Sequence, residues 1–498
     1  MKGKFILLLL ATATLAVLIG LHVDGINGPS YWRWPWRVGR GFPPYLLLLA
    51  TALPLAVAVL RFNSRAALPG IVLMMATTLG LEIANRAMDL ESFDLTRIAT
   101  IIEEPGSIGY FTHAQEYLAR GGGVRQFLHD YLDLMPGFTL HARNKPTGSI
   151  LFYVPFLRMF PSENSAALAA GLTIALLATL SVPACWRLVL ELTGDREAAY
   201  QAAACMAMCP GLVLFLPEFD QFYPVYSCAL LILWVRALKT GKAGYAIAFG
   251  LLFAFVCFQT FNFLVLGIFF VGYALIARLA SSGAAAIEGG LQTSTNLTDL
   301  LLEQNLITAE QIRAAEDEDP HPGPLSPRRQ RVAWARAFYV SAVAGAAFVG
   351  IYAAIWLWSG YNPMKTLLTG IRLHNLDMPA THRVWPMTVP FDLTDFALGT
   401  GWVCALLAIY WAARAARKAQ ETSSLGFWIV VLCFSQLVAV ALTGVLSGET
   451  ARCWIFLFPL LLIPAGLELS TWPRSARLAA LGCLWLMTVM LSQNMVFV

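Results

Sequence analysis

The sequence predicts an all-α, polytopic membrane protein whose polar segments gather in a long loop carrying short surface helices. Three observations carry that expectation. Of the 498 residues, 58% are hydrophobic and only 13% charged, against roughly 25% charged in soluble domains. Mean hydropathy is +0.64. Apolar runs recur along nearly the whole chain, each close to the roughly 20-residue helix that crosses about 30 Å of hydrocarbon. Lipid offers no partner to bare backbone groups, so such runs must be helices. The net charge of +4 is small and spread over loops, with no basic tract for nucleic acid. Seven of the nine cysteines, Cys205, Cys209, Cys228, Cys257, Cys404, Cys433 and Cys483, fall inside apolar runs and read as small core packers. No short-spaced pair in a polar loop suggests a disulfide framework or a zinc site.

Taken in order, the apolar runs give about thirteen spans: 5 to 22, 45 to 60, 66 to 84, 166 to 186, 198 to 216, 222 to 238, 245 to 260, 263 to 277, 337 to 358, 395 to 413, 426 to 446, 453 to 469 and 477 to 495. The first, preceded by Lys2 and Lys4, reads as an uncleaved helix. The tight connection at Gln259 to Asn262 is equally compatible with one kinked helix. With the N-terminus in the cytoplasm, Arg61, Arg65, Arg187, Arg196, Lys239, Lys242, Arg328, Arg329, Arg331, Arg414, Arg417, Lys418, Arg474 and Arg477 all fall inside, as the positive-inside rule expects in an inner (plasma) membrane. Arg33, Arg37 and Arg40 break the pattern, and the neighbouring Tyr31, Trp32, Trp34 and Trp36 suggest an interfacial anchor. Four regions follow: a two-helix addition at 1–65, a membrane core at 66–280 with an outer loop at 85–165, an inner linker at 281–335, and C-terminal spans at 336–498. In the linker, Leu297 to Glu316 has helical spacing with Thr308 and Gln311 as a capping box, predicting a small helical hairpin.

Long structured loops between spans are more often functional than decorative. The loop 85–165 carries Asp89, Glu91, Asp94, Glu103 and Glu104, then Gly109-Tyr110-Phe111, and two amphipathic stretches separated by Gly121-Gly122-Gly123. That triplet lacks the Lys-Ser/Thr ending of a phosphate-binding loop. His141, Arg143 and Lys145 then precede a short apolar run, where cations at a lipid boundary suit a phosphate head group. The turn Pro217 to Tyr223 adds Glu218 and Asp220, and Ser447 to Arg452 adds Glu449 and Arg452 at the same face. Carboxylates at such a boundary are costly unless solvated or used. A carboxylate base with neighbouring cations is what sugar transfer from a phospholipid carrier requires.

Residues 66–240 resemble the GT-C superfamily of membrane glycosyltransferases, especially arabinosyl- and mannosyltransferases that use polyprenyl-phosphate sugars. The resemblance rests on an order of features: a span, an acidic outer loop, Gly109-Tyr110-Phe111, two surface helices, His141 followed by Lys145-Pro146-Thr147-Gly148, the run Leu-Phe-Tyr-Val-Pro-Phe-Leu-Arg-Met-Phe, and an acidic turn with Asp220. Lys145-Pro146-Thr147-Gly148 departs from the family's usual His-Pro-Pro-Gly. The resemblance implies transfer on the non-cytoplasmic face from a lipid-linked sugar to a glycan, lipid or protein acceptor. It maps the catalytic base to Glu104 or Glu103, with Asp94 and then Asp220 behind them. His141, Arg143, Lys145, Glu218, Tyr110, Glu449 and Arg452 are the expected substrate-binding set. A divalent cation is left open, since some members hold one through loop acids. Two other classes compete. A transporter or flippase would place acids near the midplane, and a noncatalytic scaffold would use the linker hairpin for docking.

Overall fold

A computed structural model describes residues 2–28, 33–37, 46, 48–89, 92–104, 109–277, 327–377, 385–417, 425–444 and 446–497. The linker hairpin, with Thr308 and Gln311, lies outside the described residues. So do Tyr31, Trp32, Arg40, and the side chains of Asp89 and Glu91.

The protein is all-α and polytopic. Among the described residues, seven helices are long and apolar enough to cross a membrane: Gly3–Gly20, Ala67–Arg86, Glu163–Thr193, Phe219–Thr240, Trp334–Ser359, Leu425–Thr443 and Arg474–Asn494. The pair Val389–Thr400 and Trp402–Arg417 makes an eighth if it counts as one span, although it is bent by 108°. The expected thirteen are therefore not all spans of full length. The runs at 45 to 60, 245 to 260, 263 to 277 and 453 to 469 become shorter apolar helices. The run at 198 to 216 breaks into Arg196–Met206 and Pro210–Leu214, because Pro210 has no amide hydrogen to continue the first helix. The 108° bend falls at Gly401, whose φ is +96°, a conformation that glycine adopts without a Cβ penalty. Hydropathy alone counts apolar residues and does not register such breaks.

Large apolar side chains such as Leu10, Leu53, Leu68, Val72, Val271, Leu357 and Leu442 point outward. In a chain of this composition that surface faces acyl chains. Between helices, attraction comes from close packing of small residues rather than from hydrophobicity. The alanine-rich helix Arg196–Met206 packs along Phe458–Ser470, where a Cβ on Gly466 would stand 2.5 Å from the carbonyl oxygen of Ala198. The only paired strands among the described residues are Met88–Asp89 and Ser92–Phe93, a two-residue antiparallel hairpin at the start of the long loop. The loop then folds into Thr96–Glu103, Tyr110–Ala119 and Val124–Leu134, so both expected amphipathic stretches are helical. Trp34, expected in an interfacial belt, is instead buried between Phe215 and Phe497.

Basic residues collect at one end of the bundle. Lys239 and Arg236 meet Glu191 there, at 3.5 and 2.9 Å, and Arg477 pairs with Glu197. At the same end the buried Glu468 accepts from Lys4 Nζ at 2.8 Å and Trp472 Nε1 at 3.0 Å, with Arg414 3.4 Å away. This staple joins the first helix to two late ones. Removing Glu468 strands the buried Trp472 Nε1 donor, while Lys4 and Arg414 keep partial access to water. Glu468→Ala is therefore expected to lower stability by about 1–3 kcal/mol, read as an earlier thermal unfolding midpoint in detergent. An unchanged midpoint would show that the staple contributes nothing.

Candidate functional site

At the opposite end, four chain segments far apart in sequence converge. The first is Tyr110, which opens its helix directly after Gly109. Gly109 has φ +71°, and a Cβ there would collide with the side chain of Thr139, so the sharp turn into Tyr110 needs glycine. The second is the turn carrying Lys145. Tyr131 donates its hydroxyl to the Lys145 carbonyl at 2.8 Å. Gly148 lets the turn sit against the 258–262 break, since a Cβ there would be 2.5 Å from the Phe258 carbonyl oxygen. Lys145 Nζ then lies 3.4 Å from Thr260 Oγ1 and 3.5 Å from Asn262 Oδ1.

The third segment is the short turn Phe219–Phe222. Gln221 Nε2 holds it to the Leu212 carbonyl at 2.6 Å, and Phe219 packs edge-on to Tyr110 and Phe152. The turn presents Glu218, which is buried, and Asp220, which is half-buried. Asp220 Oδ1 has no hydrogen-bond partner. Arg452 and Lys145 are the cations acting on it, with Glu449 opposing them. The fourth is the turn Gly448 to Cys453. Its Arg452 forks between two carboxylates, Nη1 to Glu218 Oε2 at 3.0 Å and Nη2 to Glu449 Oε2 at 2.6 Å. Burial works against the guanidinium charge, but Glu449, Glu218 and Asp220 outweigh it and push the pKa further up.

That last turn is braced from behind. Gly448 N donates to Asp392 Oδ1 at 2.7 Å and Ala451 N to Asp395 Oδ2 at 2.8 Å, while Trp34 Nε1 donates to Asp395 Oδ1 at 3.0 Å. Neither aspartate was singled out from the sequence, although two acids three residues apart inside an apolar stretch were a signal. Thr260 and Asn262 were also missed as partners of Lys145, and the polar interruption Gln259-Thr260-Phe261-Asn262 marks them. Tyr153 and Tyr223 complete the buried wall.

The site thus unites Tyr110, Lys145, Glu218, Asp220, Glu449 and Arg452. His141 and Arg143 stand half-buried in the turn leading to Lys145. Three expected candidates have other surroundings. Asp94 accepts from Thr96 N at 2.8 Å and Thr96 Oγ1 at 2.6 Å, an Asx turn that opens the helix Thr96–Glu103. Those hydrogen bonds hold its carboxyl below the usual range. Glu104 is exposed at the helix end. Glu103 is half-buried, and its carboxyl is pushed up by burial and by Glu163.

The chemistry available is that of an acceptor lone pair beside a cation held by neutral oxygens. Burial lowers the Lys145 pKa, with Arg452 adding to the effect and Cys453, Asp220 and Glu449 opposing it. Tyr110 is kept protonated well above its ordinary range, first by burial and then by Asp220. Burial and nearby acids push the Cys453 thiol up to about 11, so it is no nucleophile at neutral pH. Among the described residues no group of three His, Cys, Asp or Glu side chains is arranged to hold a metal ion. No protein-family model matches the chain, and no curated protein matches it in sequence.

The Arg452 turn has little room to move. A Cβ on Gly399 would stand 2.6 Å from the Ala451 carbonyl oxygen, and one on Gly211 would stand 2.5 Å from the same atom. Gly399→Ala is expected to push the turn outward, costing about 1–3 kcal/mol by overpacking and speeding maleimide labelling of Cys453. Unchanged labelling and stability would mean that the turn yields freely.

Proposed function

We propose that the protein is a membrane glycosyltransferase that moves a sugar from a polyprenyl-phosphate carrier to an acceptor at the non-cytoplasmic face, the end bearing Lys145. The supporting observation is the convergence of Asp220 and Lys145. A carboxylate with an unpartnered oxygen stands in the field of an ammonium group whose nearest polar contacts are neutral. Arg452 is already neutralised by Glu218 and Glu449, which leaves Lys145 as the cation for a departing phosphate. The basic character of the other end agrees with a cytoplasmic placement of that end.

In this reading the acceptor hydroxyl gives its proton to Asp220, and its oxygen forms a bond to the anomeric carbon. The bond from that carbon to the phosphate oxygen breaks, and the electron pair leaves on the phosphate, balanced by the Lys145 ammonium. Glu218 and Glu449 position Arg452, and Tyr110 offers a neutral hydroxyl to the substrate. The resemblance to GT-C enzymes points instead to Glu104 or Glu103 as base, while the geometry favours Asp220.

Membranes bearing single variants, assayed with a panel of radiolabelled polyprenyl-phosphate sugars, decide between them. Asp220→Asn is expected to lose about 10²–10⁴-fold in turnover, the usual contribution of a general base. Glu104→Gln, Glu103→Gln and Asp94→Asn should stay near wild type. The reverse pattern would move the base to the long loop, and no transfer by wild type would remove the enzyme reading. Because Lys145 is lowered from its ordinary 10.5, its charge disappears as pH rises through a value below that. Donor KM should accordingly climb in the alkaline range, and Lys145→Arg should abolish the climb.

One observation favours a second reading. Glu82, in the span Ala67–Arg86, is fully buried, and neither carboxylate oxygen has a hydrogen-bond partner. A transporter or flippase would use such a group for a coupling ion. Loss of lipid-linked substrate movement in Glu82→Gln proteoliposomes, with sugar transfer absent from wild type, would establish that reading instead.

A further inference from the structure

A second polar cavity opens at the basic end of the bundle. It holds about 200 Å³ and is walled by Arg61 at the end of helix Ala52–Arg61, Arg474 and Arg477 at the start of Arg474–Asn494, and Glu197 in the first turn of Arg196–Met206. The helices Arg196–Met206 and Pro210–Leu214 separate it from the Asp220 turn.

The charges in this cavity do not cancel. Arg477 pairs with Glu197, which also accepts from Gln201 Nε2 at 2.8 Å, and Arg477 Nε is buried with no partner. Arg474 spends one nitrogen on the Leu60 carbonyl. Arg61 has no carboxylate partner among the described residues. Three guanidiniums face one carboxylate, a formal charge of +2. Guanidinium forks match phosphate oxygens bidentately. The wall nearer the bundle middle is apolar, made by Val59, Leu478 and Leu481. A soluble anion has no use for such a wall, whereas a lipid phosphate brings its own apolar part. The volume lies below the range of pockets built for whole small molecules, which matches a head group entering from the bilayer rather than a nucleotide from water.

We propose that this cavity binds the phosphodiester head group of an anionic membrane lipid, with Arg61, Arg474 and Arg477 on the phosphate and the acyl chains running past Val59, Leu478 and Leu481. Basic pockets between helix ends on the cytoplasmic side are suited to such lipids. The site is independent of the transfer reading, so failure of one leaves the other standing.

The test uses the full chain purified in a neutral detergent, with thermal unfolding followed as lipid is titrated, since a ligand that binds only the folded state raises the midpoint. Phosphatidylglycerol is expected to raise it saturably, phosphatidylcholine to leave it unchanged, and inorganic phosphate to act only at far higher concentration. Arg61→Gln combined with Arg474→Gln should weaken the phosphatidylglycerol response by about tenfold or more. Should the double variant fail to fold, Arg61→Gln alone removes a guanidinium that holds no carboxylate. Equal responses to the two lipids, or an unweakened response in the variant that folds, would overturn the proposal. An equal response to inorganic phosphate would assign the site to a soluble anion and remove the lipid.

Discussion

The Lys145 end of this protein is organised around one guanidinium. Arg452 is buried, and it can stay so only because Glu218 and Glu449 take two of its nitrogens at 3.0 and 2.6 Å. A buried cation without such partners would cost several kcal/mol. The requirement fixes the rest in sequence. Glu218 belongs to the Phe219 turn, so that turn must dock beside residues 448–453. Once docked, Asp220 stands next to the Lys145 turn. The bracing by Asp392 and Asp395 serves the same end, because Glu449 reaches Arg452 from a left-handed backbone position, φ +50°, that an unbraced turn would leave.

What the sequence made legible was the polar material stranded in apolar surroundings. Asp220, Lys145 and Arg452 stood out because acids and bases at a lipid boundary need a reason, and the fold brings them together. The two amphipathic helices were legible for the same reason, from their spacing and the glycine triplet between them. Which carboxylates stand beside Lys145 and Arg452 was not. Glu103 and Glu104 precede the Gly109-Tyr110-Phe111 turn by a few residues, yet the helix Thr96–Glu103 turns them toward Glu163 and toward solvent. Sequence proximity to a motif does not say which way a helix faces. The breaks at Pro210 and Gly401 were not legible either, since they interrupt helices without interrupting apolar composition.

The distribution of ionisable groups follows from what hydrocarbon tolerates. The partnered charges cluster at the two ends, and Glu82 is the exception within a span. At the Lys145 end the carboxylates outnumber the cations, while at the other the arginines and lysines exceed their acids. A bundle polarised in this way presents a different charge at each of its two ends.

The ion pair between Lys4 and Glu468 spans 464 positions, and helix Lys2–Gly20 packs along Arg474–Asn494. A helix synthesised early therefore has a neighbour synthesised much later. Until the ribosome has released that neighbour, helix Lys2–Gly20 must wait in the bilayer with its acyl-facing and protein-facing sides both open to lipid. Insertion of helix Lys2–Gly20 and its closure onto Arg474–Asn494 are thus separated in time.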